Sequence, residues 1–324
     1  MINKILFITL SNFGDVILTL PVLDILRTNY PKARITVMVG PRTAEIFKNT
    51  PHIHDFIVYN KYAPLREKVR LFFQLKKEGF DLVVDLRNTL YGALLPAQYR
   101  TSPFLYMPRH IRHMKECNIY RLKMALRKAK PPLLLRTDQR LLYVSREDEN
   151  YVNNLLQENG ITQSHKVVII SPATGGSTRR WKKEKFIELC DRLAKKYKPI
   201  LIGKKEDKPL TQYIQAHCKE RIIDFTGLTN LAQLSFLLEK SALVVVCDTG
   251  ILHLASYLNT PLVALFGPSD ERRYGPWSNR FKVVLAPVRC RPCRKPDCKL
   301  KTVECMREIS VNKVFDSIDA LLKS

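Results

Sequence analysis

The chain has 324 residues, 45% of them hydrophobic, which is enough for more than one core, since a single core stops growing near about 250–300 residues. Its 54 Lys+Arg against 30 Asp+Glu leave a formal net charge of +24, which excludes an acidic, solvating chain and favours polyanionic partners such as nucleic acid, anionic lipid or phosphorylated glycan. No apolar run approaches the ~20 residues of a transmembrane helix, and the apolar start lacks a small-residue cleavage pattern, so the expectation is a soluble, cytoplasmic chain without a signal peptide.

Residues 4–10 read as a buried strand that stops at Ser11-Asn12-Phe13-Gly14-Asp15. A helix over 16–30 follows, then a strand over 34–40, a short helix, a strand over 56–59, a helix over 65–77 and a strand over 82–86. Ile5-Leu6-Phe7-Ile8 and Leu82-Val83-Val84 are apolar at consecutive positions, the pattern of parallel strands covered on both faces. Between 101 and 137 the rhythm breaks into a Pro- and Arg-rich insertion with a basic helix expected over 120–130. A helix over 145–159 opens with Ser145 and Asp148 at capping-box spacing and stops at Gly160.

Alternation then resumes, with strands over 167–171, 199–203, 222–225, 243–247, 262–266 and 282–285 and helices over 183–197, 209–217, 231–239 and 251–258. The last helix, over 311–322, is expected to pack back on the first half. Strand-helix alternation predicts the α/β class: two Rossmann-like doubly wound domains, 1–160 and 161–324, facing a central cleft lined by the carboxyl ends of the strands.

Three turns at strand ends carry chemistry. The first, 11–15, lacks the Gly-x-Gly-x-x-Gly spacing of a dinucleotide fold, and its Asp15 reads either as a helix cap or as a general base held ionised near a helix start. The second, 171–181, brings glycines, hydroxyls and Arg179 to one loop, a combination suited to a diphosphate. The third, Asp248-Thr249-Gly250 with His253 one turn into the next helix, again suits phosphate.

Gly14-Asp15-Val16 with Leu18-Thr19-Leu20-Pro21, Arg179-x-Trp181, Asp248-Thr249-Gly250-x-x-His253-x-Ala255 and Phe266-Gly267-Pro268 together resemble glycosyltransferase family 9, which includes the ADP-heptose:lipopolysaccharide heptosyltransferases. The resemblance implies a GT-B architecture, a donor bound mainly by the second domain and no metal in catalysis. It implies that Asp15 is the base of an inverting displacement and that Thr174, Gly175, Arg179, Glu206, Asp248, Thr249, Gly250 and His253 bind the donor. Arg179 stands where the family pattern has lysine, and Gly175 where it has a second threonine. It also implies ADP-heptose as donor, the phosphorylated Kdo-lipid A inner core or its heptosylated product as acceptor, and peripheral contact with the anionic inner membrane from the cytoplasmic side. Asn12, Gly14, Asp85, Arg87, Asn88, Arg109, Arg112 and Lys115 are the acceptor candidates, and the insertion is the candidate membrane surface.

Four of the eight cysteines, Cys290, Cys293, Cys298 and Cys305, crowd into one segment. Four thiolates suit a tetrahedral structural zinc, although the spacing is not that of a standard finger, and reduced or disulfide-paired packing is the alternative. A different nucleotide-sugar donor is the competing enzyme reading. A nucleic-acid-binding protein accounts for the charge alone, because helix-turn-helix, finger and aromatic strand signatures are missing from the sequence, so no nucleic-acid partner is expected.

Overall fold

The computed structural model describes residues 2–9, 11–47, 50, 53–135, 140–295 and 297–323. Leu10 and Thr137, ends of the expected first strand and of the insertion, lie outside the described residues. The chain divides into two compact units, Met1–Tyr143 and Val144–Ser324, each built on its own parallel sheet.

In the first unit β1 (Lys4–Ile8) leads to α1 (Phe13–Ile17), α2 (Leu20–Asn29), β2 (Arg34–Val39), a 3-10 turn (Pro41–Phe47), β3 (Asp55–Val58), α3 (Leu65–Glu78), β4 (Leu82–Asp85), α4 (Leu90–Leu94), β5 (Tyr99–Arg100) and α5 (Met114–Ala125). The sheet order is β3-β2-β1-β4-β5, with every pairing parallel. The helix expected over 16–30 is two helices, broken at Leu18–Thr19. Pro21 has no N–H to give and its ring would meet the carbonyl of Ile17, so the chain restarts there. Thr19 closes the break by donating its N–H and its hydroxyl to the Val16 carbonyl, at 2.9 and 2.6 Å.

The insertion helix also starts earlier than the basic residues suggest. His113 caps α5 by accepting the Lys115 N–H on its ring nitrogen at 3.2 Å, a cap that the sequence does not advertise. Asn118 and Leu122, one turn apart, form its buried side, and the Asn118 amide donates to the Leu18 carbonyl at 3.2 Å.

The second unit runs α6 (Arg146–Glu158), β6 (Val167–Ser171), a 3-10 turn (Ser177–Arg179), α7 (Lys183–Ala194), β7 (Lys198–Leu201), a 3-10 turn (Lys205–Asp207), α8 (Lys208–His217), β8 (Ile223–Asp224), α9 (Leu231–Lys240), β9 (Leu243–Cys247), α10 (Gly250–Tyr257), β10 (Leu262–Phe266), α11 (Glu271–Tyr274), β11 (Phe281–Leu285), α12 (Glu304–Arg307) and α13 (Val311–Lys323). The parallel sheet order is β11-β10-β9-β6-β7-β8. All five residues of β6, β9 and β10 are buried, as a sheet covered on both faces requires, and each such large apolar side chain contributes roughly 1.5–3 kcal/mol.

The division between the units and the seat of the last helix within its own unit are as follows. The division falls at Tyr143/Val144 rather than at 160, because α6 packs with α9: the Tyr151 hydroxyl donates to the Leu228 carbonyl at 2.8 Å, and the Asn230 amide donates to Asp148 at 3.2 Å. The capping box on Ser145 and Asp148 is present as read. The last helix packs within the second unit: Val314, Ile318 and Leu321 of α13 join Leu189 and Leu193 of α7 in one core. Trp181 completes that core, edge-on to Phe186 at 5.0 Å between centroids, with its indole N–H donated to the Ile309 carbonyl at 3.0 Å.

Candidate functional site

Chain order runs outward from β6 to β7 and β8, then crosses back over β6 to β9 and out to β10 and β11. The loops leaving β6 and β9 therefore diverge, and a crevice opens beyond the carboxyl ends of these two strands. Arg179 comes from the first of those loops and Asp248 from the second. The Arg179 Nη1 donates to Asp248 Oδ2 at 3.3 Å, and the Ser269 hydroxyl, from the loop after β10, donates to the same oxygen at 2.5 Å. The Asp248 side chain is only 9% exposed and that of Arg179 is 38% exposed, so a buried carboxylate fixes a guanidinium that still reaches solvent.

Among the described residues the hydrogen bonds of that guanidinium come from Nη1 and go to Asp248, and Nη2 lies by Gly175 and Gly176, where an added Cβ would stand 3.9 and 3.8 Å away. Thr174 folds the same loop by donating its hydroxyl to the Gly176 carbonyl at 2.7 Å. Asp248 is not the cap of α10: the N-cap is Thr249, in extended conformation and with no side-chain cap bond. Among the described residues the buried Thr249 hydroxyl has no hydrogen-bond partner, and the amides at the start of α10 open beside it. Donors gathered in this way suit an oxyanion.

His253 is buried one turn into α10 with its ring stacked on Trp277, at 5.7 Å between centroids and 19° between planes. Glu206 stands exposed on the 3-10 turn at the exit of β7, the neighbour of β6. Ser269 and Trp277 were not among the sequence candidates. Ser269 follows Phe266-Gly267-Pro268 directly, so the strand-end signal was there to extend.

The first sheet has its own switch point, between β1 and β4. Asp15 leaves β1 as the third residue of α1, not as its cap; the cap is Asn12, whose amide donates to Asp15 Oδ2 at 3.0 Å. Gly14 lies between them in the first turn. Asp85, at the end of β4, is consumed by its own turn: Oδ1 accepts the Arg87 N–H at 2.9 Å, and Oδ2 accepts the Thr89 N–H at 2.6 Å and the Thr89 hydroxyl at 2.9 Å. Burial holds its pKa above the usual carboxylate value, against the pull of those hydrogen bonds. A Cβ at Gly92 would collide with the Asp85 carboxylate, so the turn needs glycine there.

Asp85 thus shapes the turn that presents Arg87 and Asn88. Arg87 lies over the Tyr59 ring at 5.3 Å, and Asn88, at φ 56, accepts from Arg121 of α5 at 2.7 Å. With the Asn118 bond to Leu18, α5 is tied to the turns after both β4 and β1. Arg109 and Arg112 are exposed in the turn ahead of α5, while Lys115 is half-buried in its first turn, its pKa lowered by burial and raised in part by Glu116.

Cys290, Cys293, Cys298 and Cys305 are free thiols that line one pocket with Thr178 and Pro268. The Cys298 thiol has its pKa lowered by the backbone N–H of Val303 and its neighbours, and burial raises that of Cys305. As donors the four suit zinc. Among the described residues, however, no three His, Cys, Asp or Glu side chains stand as they are in a group able to hold a metal ion. The segment buttresses the candidate site: Arg291 donates to the Gly267 carbonyl at 2.7 Å, and a Cβ at Gly267 would meet Met306 Sδ at 2.6 Å.

Residues 68–304 match the family model described as glycosyltransferase family 9 (heptosyltransferase). The chain is 27% identical over 292 residues to lipopolysaccharide heptosyltransferase 3 of Escherichia coli, covering 83% of this chain and 84% of the relative. Among solved structures, a glycosyl transferase of family 9 from Veillonella parvula superposes with a TM-score of 0.81 at 21% identity, covering 99% of this chain and 97% of that one. The E. coli ADP-heptose lps heptosyltransferase II superposes at 0.74 and 23% identity, covering 99% and 98%.

The unsatisfied Thr249 hydroxyl separates stability from ligand binding. Thr249→Val leaves thermal unfolding unchanged or slightly raised, since no protein hydrogen bond is lost, and weakens the binding of a nucleoside diphosphate about tenfold by calorimetry.

Proposed function

The chain belongs to glycosyltransferase family 9 and has its GT-B fold of two Rossmann-like doubly wound units, and on that premise we propose that it transfers a heptose from ADP-heptose to the inner core of lipopolysaccharide with inversion at the anomeric carbon. One observation carries the reading. At the β6/β9 switch point an oriented guanidinium, a buried hydroxyl without a partner and the amino end of α10 converge, and a sugar diphosphate is a ligand that uses all three. The E. coli relatives, named as lipopolysaccharide and ADP-heptose enzymes, support the choice of donor and acceptor class.

In this reading Arg179, Thr249 and the Gly250 amide hold the diphosphate, and Asp248 holds Arg179. Negative charge builds on the leaving phosphate as the sugar-oxygen bond breaks, and the cation and helix dipole stabilise it where it develops. Asp15 takes the proton of the acceptor hydroxyl as that oxygen attacks the face opposite the nucleotide, so the configuration inverts. Glu206 accepts from the ribose hydroxyls, while Thr174 and Gly175 line the diphosphate. Asn12, Arg87, Asn88, Arg109, Arg112 and Lys115 meet the phosphorylated acceptor, and the glycolipid brings the enzyme to an anionic membrane surface on the cytoplasmic side. No step in this scheme draws on a metal. The cysteine segment serves structure, buttressing the loop after β10.

Asp15→Ala is expected to keep ADP-heptose affinity within about twofold while kcat falls roughly 10²–10⁴-fold, measured by calorimetry and by mass spectrometry of the acceptor lipid; equal losses in both would make Asp15 structural. Metal analysis of the purified chain is expected to find no stoichiometric zinc, and about one zinc per molecule would instead bring the four thiols together as ligands.

A further inference from the structure

Helix α3 carries an exposed apolar stripe that no other part of the described chain covers. Leu65, Val69 and Phe73 follow one another at four-residue steps and are 75%, 45% and 61% exposed, and Tyr62, in the turn just before the helix, is 81% exposed. At 3.6 residues per turn the three fall within about 80° of arc. This is a second apolar face: the inward one belongs to Leu75, with Leu71 and Phe72 packed against the core of the first unit. Scattered single apolar residues are normal on a surface, but a continuous stripe marks an interaction.

The charges around it are ordered. Arg66, Arg70 and Lys77 occupy the next roughly 40° of arc, Lys76 projects within the stripe itself, and Glu67 and Glu78 lie farther round, away from it. Five cationic side chains stand against two anionic ones in this helix. An apolar stripe bordered by Lys and Arg, with the acids turned away, is the pattern of a helix that lies in the plane of an anionic lipid surface, its aliphatic and aromatic groups among the acyl chains and its cations at the headgroups. The helix has 14 residues, and among the described residues no helix is long and apolar enough to cross a membrane, so contact is at the surface.

We propose that α3 docks the enzyme on an anionic bilayer through Leu65, Val69 and Phe73, with Arg66, Arg70 and Lys77 at the phosphates. This deepens the proposed function, resting on its lipid-linked acceptor, and moves the membrane contact from the insertion to α3. The insertion helix α5 turns Asn118 and Leu122 inward. The position of α3 serves the reaction: its amino end follows the carboxyl end of β3, the same end of the parallel sheet from which the Asp15 and Asp85 turns leave β1 and β4, and the Tyr91 hydroxyl donates to the Lys68 carbonyl at 3.1 Å, tying its first turn to α4, which follows Arg87 and Asn88 in the chain. A docked α3 thus brings the acceptor turns to the headgroup layer.

The test is flotation of the full chain with phosphatidylglycerol/phosphatidylethanolamine vesicles, run beside vesicles of phosphatidylcholine. Wild type partitions onto the anionic vesicles and is released by added salt. The double variant Leu65→Ser/Phe73→Ser and the charge variant Arg66→Glu/Arg70→Glu each lower partition by at least about tenfold, while transfer to a delipidated, phosphorylated inner-core oligosaccharide stays within about twofold of wild type. Wild-type partition of the Leu65→Ser/Phe73→Ser variant overturns the proposal. So does loss of partition only in Phe104→Ser/Tyr106→Ser, which would put the contact in the loop before α5. Conversion of a wild-type dimer to a monomer by Leu65→Ser/Phe73→Ser would make the stripe a contact between copies and also overturn it. Vesicle binding without any sugar transfer would leave α3 standing and sink the transferase reading instead.

Discussion

A buried carboxylate aligned against a half-exposed guanidinium organises the second unit. Asp248 leaves β9 with its side chain enclosed, and leaving such a charge alone in the interior would cost several kcal/mol. Arg179 and Ser269 meet it from the loops after β6 and β10, so three strand exits are locked to one oxygen atom. The pairing consumes only one nitrogen of the guanidinium and leaves the remaining donors over a glycine backbone. The price of burying Asp248 is thereby converted into a positioned cation at the switch point, next to a hydroxyl without a partner among the described residues.

The first unit solves a related problem differently. Asp85 is also buried at a strand exit, but hydrogen bonds from Arg87 and Thr89 close around it, and Gly92 leaves it room. It is a scaffold for its neighbours rather than a group facing outward. Asp15, by contrast, keeps a carboxylate in the first turn of a helix with one amide on it, from Asn12. The two acids sit at the exits of adjacent strands, and only one is left free to act on a ligand. Helix α5 ties both turns together through Asn118 and Arg121, which gives the basic insertion a structural purpose beyond its charge.

Much of this was legible in the amino-acid pattern. Short, β-branched apolar runs such as Val168-Ile169-Ile170 and Leu243-Val244-Val245-Val246, alternating with helices, read as parallel strands buried on both sides, and the helices between them leave little freedom of topology. The strand-end turns followed from that order. The less legible features depended on contacts made at a distance. The break before Pro21 and the His113 cap on the Lys115 N–H are local, yet the attachment of α6 to α9 and the seat of α13 on α7 rest on partners far along the chain. The inward turn of Asp85 was hidden for a different reason: two of its three nearby donors are main-chain N–H groups, which any sequence possesses. Ser269 was overlooked because a serine after a glycine-proline pair reads as an ordinary loop until Asp248 is found beside it.

A crystal structure of the chain with ADP tests most directly whether the β6/β9 switch point is the diphosphate site. The account predicts the β-phosphate against Arg179, the Thr249 hydroxyl and the first amides of α10, with Asp248 still bonded to Arg179. A nucleotide bound at another strand exit, leaving the Thr249 hydroxyl without a ligand, would contradict it.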